Sequence, residues 1–142
     1  MHENFFHKLK VYYEDTDSGG VVYYANYLKF LERARTEALF SIGYSNKIIR
    51  DDLESLIIVK ACNIEYKKSA HLEDELNIES HIITLKKTSL IMKQLIRLEK
   101  ELISDAEIHL AFVNSNGKPE KIPDEIIKNF LPYVKKWNEH II

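Results

Sequence analysis

From Phe5 to Tyr13 apolar and polar residues alternate closely enough for a first strand, with Leu9, Val11 and Tyr13 on one face. The stretch EDTDSGG ends the alternation, because Asp, Ser and Gly each favour turns for their own physical reason. From about Ala25 to Ile42 the period becomes helical. Tyr27, Phe30, Leu31, Ala34, Ala38 and Ile42 fall on one stripe, widened by Leu28 and Leu39. Lys29, Glu32, Arg33, Thr36 and Glu37 take the other side, and Gly43 is a plausible helix stop. Arg35 lies inside the apolar arc, an odd place for a guanidinium without a partner.

The next seventy or so residues read as strands: SLIIVKACNIEYKK (55–68), ELNIESHIITLKK (75–87), SLIMKQLIRLEKE (89–101) and LISDAEIHLAFVNS (102–115). Ile96 and Leu98 alternate with Arg97 and Glu99, and Ile108, Leu110 and Phe112 with His109 and Ala111. The breaks between them are short, so antiparallel hairpins are expected; parallel strands would need long crossovers. Pro123, Asp124 and Glu125 then open a helix carrying Ile126, Ile127, Phe130, Leu131, Val134 and Trp137, which Pro132 should kink or split. The order is strand, long helix, four antiparallel strands, short C-terminal helix, in one domain over residues 1–142. One long helix with a wide apolar face has to be covered by a curved antiparallel sheet, which makes this an α+β fold.

Composition narrows the function more than the fold. With 142 residues, 45% hydrophobic and 30% charged, the chain has a normal globular make-up. A net charge of −2 does not suggest a nucleic-acid binder, although local basic patches remain open. The lone Cys62 cannot form an internal disulfide and is expected as a small buried hydrophobe in its strand. MHENFFHKLK has no apolar signal-peptide core, and no stretch approaches a membrane span, so a cytoplasmic protein is expected.

Asp15 and Asp17 could do no more than stabilise their turn through side-chain hydrogen bonds. Their placement gives a functional alternative. They directly precede Gly19-Gly20, where the backbone can come close to a ligand, and a helix N-terminus with free N–H groups follows. A carboxylate beside such donors is what acyl hydrolysis requires. The six histidines show no metal-binding spacing, and no nucleophile elbow, P-loop or GxGxxG is present. Lys67-Lys68, Lys86-Lys87 and Lys135-Lys136 read as solvated element ends that could also meet phosphate, and Trp137 as core or lid packing.

YYEDTDSGGVVYYANYLKFLERARTEAL, residues 12–39, resembles the signature of the hotdog-fold acyl-CoA thioesterases of the 4-hydroxybenzoyl-CoA thioesterase superfamily. It is most similar to the branch associated with the bacterial Tol-Pal system. EYKKSAHLEDEL, LKKTSLIMKQ and NSNGKPEKIP extend the similarity over nearly the whole chain. The resemblance implies a hotdog fold, sheet-edge pairing into dimers or tetramers, and active sites at subunit interfaces. It assigns Asp17 as nucleophile or general base and the backbone N–H of Tyr24, at the start of the helix, as the group polarising the thioester carbonyl. Gly20 and Val21 would line the approach, Ser89 would face the site, and Lys86 and Lys87 are the candidates for coenzyme A phosphates. Many members of the branch read VVYHANY where this chain reads VVYYANY, so any acid–base role of that His is absent. Arg35 and Glu37 are expected to tie the helix to its neighbours. No cofactor is implied beyond coenzyme A as part of the substrate. Hydrolysis of an acyl carrier protein thioester, or non-catalytic acyl-CoA binding as a scaffold, are the alternatives.

Overall fold

The structure, a computed structural model, describes residues 3–135. Its elements are β1 (Phe5–Lys10), α1 (Asn26–Ser41), α2 (Asn46–Asp52), β2 (Leu56–Tyr66), β3 (Glu75–Leu85), β4 (Ser89–Leu98), β5 (Glu101–Val113) and α3 (Asp124–Phe130). The five strands form one antiparallel sheet in the order β1-β3-β4-β5-β2. The α+β hotdog arrangement expected from the sequence is therefore present, with α1 on the inner face of the sheet.

Packing follows the two periods seen in the chain. Tyr27, Phe30, Leu31, Ala34, Ala38 and Leu39 are the buried stripe of α1. They share one core with the alternate residues Leu76, Ile78 and Ile82 of β3, Leu90, Met92 and Ile96 of β4, and Ala106, Ile108, Leu110 and Phe112 of β5. One buried polar cluster interrupts this apolar layer. The Gln94 side-chain amide donates to the Leu31 carbonyl (3.1 Å) and to Ser80 Oγ (3.0 Å), and its Oε1 accepts from Arg35 Nη1 (3.0 Å). Arg35 thus ties α1 to β4, as its position in the arc suggested. Glu37 makes no such tie among the described residues.

Several features depart from the sequence reading. The first strand ends at Lys10, Tyr13 is exposed in a 3-10 turn, and Leu28 is exposed beside the apolar stripe of α1. The helix α2 had no counterpart in that reading. With seven residues and one buried anchor, Ile49, it is too short to show a period; only the capping bond from Ile48 N–H to Ser45 Oγ (3.0 Å) marks its start. Cys62 is exposed, not buried. The reason is topological: β2 is an edge strand, and most of its residues are exposed on both faces. The C-terminal helix does break where Pro132 requires, with α3 ending at Phe130 and a 3-10 turn following over Leu131–Tyr133. Trp137 of that helix reading and Lys136 of the Lys135-Lys136 pair lie outside the described residues.

Phe30 is fully buried at the centre of the helix–sheet contact. Phe30→Ala is expected to cost about 3–5 kcal/mol of stability, read as a fall in the urea midpoint at constant slope.

Candidate active site

The acidic turn is held by two aspartates with different jobs. Asp15 is buried and closes a 3-10 turn over Tyr13–Asp15, its Oδ2 accepting from Tyr12 N–H (2.9 Å). Its carbonyl accepts from Tyr23 N–H (3.0 Å) and from Asn26 Nδ2 (2.9 Å), which fixes the start of α1 against the turn. Asp17 is exposed. Its N–H donates to the Val21 carbonyl (2.9 Å), its carbonyl accepts from Gly20 N–H (3.1 Å), and its Oδ1 accepts from Gly19 N–H (2.8 Å). Among the described residues Oδ2 accepts no hydrogen bond, which leaves it open to an incoming group.

The glycines have separate reasons to be there. A Cβ on Gly19 would sit 3.3 Å from Asp17 Oδ1, tight against the carboxylate. Gly20 has φ +81°, a conformation that disfavours any side chain. The far side of the loop is pinned to the segment before β3: Val22 N–H donates to the Ala70 carbonyl (2.8 Å) and Leu72 N–H to the Gly20 carbonyl (3.1 Å).

The helix proper begins at Asn26, after a turn in which the Tyr24 carbonyl accepts from Tyr27 N–H (3.2 Å). Among the described residues the N–H groups of Tyr24 and Ala25 donate to no protein acceptor, as expected of a helix start without a side-chain cap. Tyr24 itself is largely exposed, its ring 5.0 Å from that of Tyr23 and 6.3 Å, edge-on, from that of Tyr66. The Tyr66 hydroxyl donates to the Tyr24 carbonyl (3.4 Å); partial desolvation pushes its phenol up, and the nearby Cys62, Tyr24 and Tyr27 add to the rise through their charges. Tyr27 is buried beneath, its hydroxyl accepting from Ala70 N–H (3.0 Å), and desolvation raises its pKa too. The sequence placed Tyr27 on the apolar stripe of the helix but gave neither tyrosine a part in the site, although Tyr66 is the second residue of the motif EYKKSAHLEDEL.

The structure brings Asp17, Gly20, Val21 and Tyr24 into one loop. It does not bring Ser89, Lys86 and Lys87 to them within the chain. The loop sits on residues 70–74, just before β3 begins, whereas the two lysines follow its last residue and Ser89 opens β4 across the hairpin. Eleven residues of β3 separate the two ends, about 33 Å of strand. There Lys86 N–H donates to the Ser89 carbonyl (2.8 Å), and Lys86, Lys87 and Lys121 rim a depression floored by Ile122, Ile127 and Leu131. Among the described residues no three His, Cys, Asp or Glu side chains converge as a metal site, and no helix is long and apolar enough to cross a membrane.

A curved antiparallel sheet around one helix is the fold that the sequence resemblance implied. The model of the thioesterase-like superfamily matches residues 11–130, and the chain belongs to that family. It is 37% identical over 124 residues to the acyl-CoA thioester hydrolase YbgC of Escherichia coli, covering 86% of this chain and 92% of that one. A probable thioesterase from Bartonella henselae superposes with a TM-score of 0.82 at 31% identity, covering 85% of this chain and all (100%) of the other. A Staphylococcus aureus protein solved in complex with CoA shares the fold, with a TM-score of 0.86 at 19% identity over 94% of this chain and 85% of its own.

Tyr27→Phe would leave the buried Ala70 N–H unpaired beneath this loop. A loss of about 1–3 kcal/mol in urea denaturation is the expected outcome; an unchanged midpoint would show the bond to be idle.

Proposed function

We propose that the protein hydrolyses acyl-CoA thioesters to free CoA and a carboxylic acid, in the cytoplasm, with Asp17 as the reactive carboxylate. The observation that carries this is the pairing of an exposed carboxylate, free at Oδ2, with the undirected N–H groups of Tyr24 and Ala25 across one short loop. The thioester carbonyl oxygen accepts from Tyr24 N–H, which stabilises the charge developing on it. Asp17 either attacks the carbonyl carbon or takes a proton from the attacking water. Thiolate is a good leaving group, so the reaction asks for no strong general acid at the position where relatives carry His. The bond from the Tyr66 hydroxyl holds the Tyr24 carbonyl, which anchors the Tyr24–Ala25 peptide, the unit that follows the polarising N–H and carries the Ala25 N–H. Gly20 and Val21 leave the approach open, with the reactive acyl group beside Asp17. The 37% identical Escherichia coli relative, named as an acyl-CoA thioester hydrolase, supports the substrate class.

The distant hairpin then has a role only in an assembly. β2 is an eleven-residue edge strand with exposed Leu56, Ile58, Val59 and Tyr66, a surface that pairs with another strand unless it is blocked. Antiparallel pairing of β2 with the same strand of a second copy sets its Tyr66 end beside the other copy's Leu56 end. Leu56 pairs with Val113, and Ser89 pairs with the neighbouring Ala111, so the Leu56 end is also the end of the Lys86–Ser89 hairpin. A two-fold dimer therefore brings the second subunit's Ser89, Lys86 and Lys87 toward the first subunit's Asp17. The lysines suit the phosphates of CoA as point charges.

Asp17→Asn preserves the acceptor for Gly19 N–H and so the turn, and is expected to lower thiol release from acyl-CoA by about 10²–10⁴-fold. Retained turnover would remove Asp17 from the chemistry. Tyr24→His keeps the backbone N–H and should keep activity, whereas a severe loss would show that the phenol acts. Co-refolding Asp17→Asn with a Lys86→Ala/Lys87→Ala variant tests the shared site. Hybrid dimers carry one intact site, which predicts recovery to about a quarter of wild-type turnover; no recovery places both sets of residues in one subunit.

A further inference from the structure

A cavity of about 180 Å³ lies between the second half of α1 and the inner side of the sheet, walled by Leu39, Leu90, Met92, Leu110 and Phe130. An apolar cavity of about 150 Å³ accepts a benzene ring, so this one has room for a group of roughly six carbons. Arg35 lines it as well, and its guanidinium is under-used. Of five N–H donors, one is committed, to Gln94 Oε1. Among the described residues no carboxylate forms an ion pair with Arg35. Glu32, on the next turn, is near enough to favour the charged guanidinium, but its carboxylate is engaged by the Thr36 hydroxyl (2.5 Å). Glu32 lines the cavity too, as the nearest opposite charge, but a half-buried cation with spare donors and no ion-paired carboxylate is costly to keep in a largely apolar wall.

The seam between α1 and β2 runs from the proposed active site to the cavity. A bulge between Val59 and Ala61 switches the side-chain parity of β2. Ile57 and Val59 before it, and Cys62, Ile64 and Tyr66 after it, consequently share the side that faces α1. Tyr66 meets Tyr24 at one end of this row, Cys62 in the middle is near enough to Arg35 to interact with its charge, and Val59 and Ile57 enter the cavity wall. Tyr24 and Arg35 are eleven positions apart, roughly 16 Å along the helix, and the arginine side chain leans back toward the N-terminus and shortens that span.

We infer that Arg35 receives the far end of the acyl group, and that the enzyme favours medium-chain acyl groups carrying a terminal carboxylate over plain fatty acyl groups of equal length. The carboxylate takes the spare N–H donors in a charge-assisted pair, and the methylene chain covers the apolar seam. This rests on the acyl-CoA reading and adds a substrate class to it.

The test compares suberyl-CoA with octanoyl-CoA by thiol release, on wild-type protein and on Arg35→Gln and Arg35→Lys. Glutamine keeps a donor for Gln94 and removes the charge; the melting temperature of each variant confirms folding. The wild-type ratio of kcat/KM, suberyl over octanoyl, is expected at about ten- to hundredfold, the span of one charge-assisted hydrogen bond in a partly buried site. It should collapse toward or below unity in Arg35→Gln and be partly kept in Arg35→Lys. A wild-type preference for octanoyl-CoA, or a ratio unchanged by Arg35→Gln, overturns the assignment while leaving the thioesterase reading intact. Absence of turnover on both esters overturns the reading itself. Calorimetric binding of free suberate and octanoate to the wild-type protein then decides the pocket: tighter suberate supports the carboxylate role, and equal or weaker suberate ends it.

Discussion

A single long helix with a wide apolar stripe has one sheet to bury it, and the rest of the molecule is arranged by that requirement. Tyr27, Phe30, Leu31, Ala34 and Ala38 take up the inner faces of β3, β4 and β5. The sheet must curve to follow them, and β2, at its edge, is left largely exposed. At the helix start, backbone donors, an acidic turn and an unfilled strand edge meet. The turn is rigid because Asp15 spends both its carboxylate and its carbonyl on it, which leaves Asp17 free for another task.

Division of labour between the two aspartates also shows how far a sequence can be read. The long α1 and the five strands were legible because their periods run over ten or more residues, or are bounded by turn residues. The helix α2 was not, since seven residues hold one buried anchor. Cys62 was misplaced because an apolar strand reads alike at the centre and at the edge of a sheet; only the strand order, set by long-range pairing, separates the two. Within the loop, local chemistry could not choose between Asp15 and Asp17, and the family resemblance pointed to Asp17. Burial supplies a physical reason for the same choice. Tyr66 and Tyr27 join the loop through the tertiary fold alone, from 42 or 43 positions away, a relation that spacing along the chain does not carry.

The seam between α1 and β2 links the parts. Its tyrosine end abuts the helix start, its middle holds a guanidinium with spare donors, and its far end opens into an apolar cavity. In the proposed dimer this edge strand pairs with its copy, which brings the β3–β4 hairpin and its lysines toward the other subunit's helix start. On that proposal one element serves fold, assembly and substrate selection, in keeping with an eleven-residue edge strand that exposes Leu56, Ile58, Val59 and Tyr66.

The central claim is geometric: one thioester carbonyl lies between Asp17 and the Tyr24 N–H. A crystal structure with an acyl-CoA analogue, a methylene group inserted between carbonyl carbon and sulfur, tests it most directly. The account predicts the analogue's carbonyl oxygen within hydrogen-bond distance of Tyr24 N–H and its carbonyl carbon facing the Asp17 carboxylate. A carbonyl held elsewhere, with the Asp17 side chain turned to solvent, would contradict it.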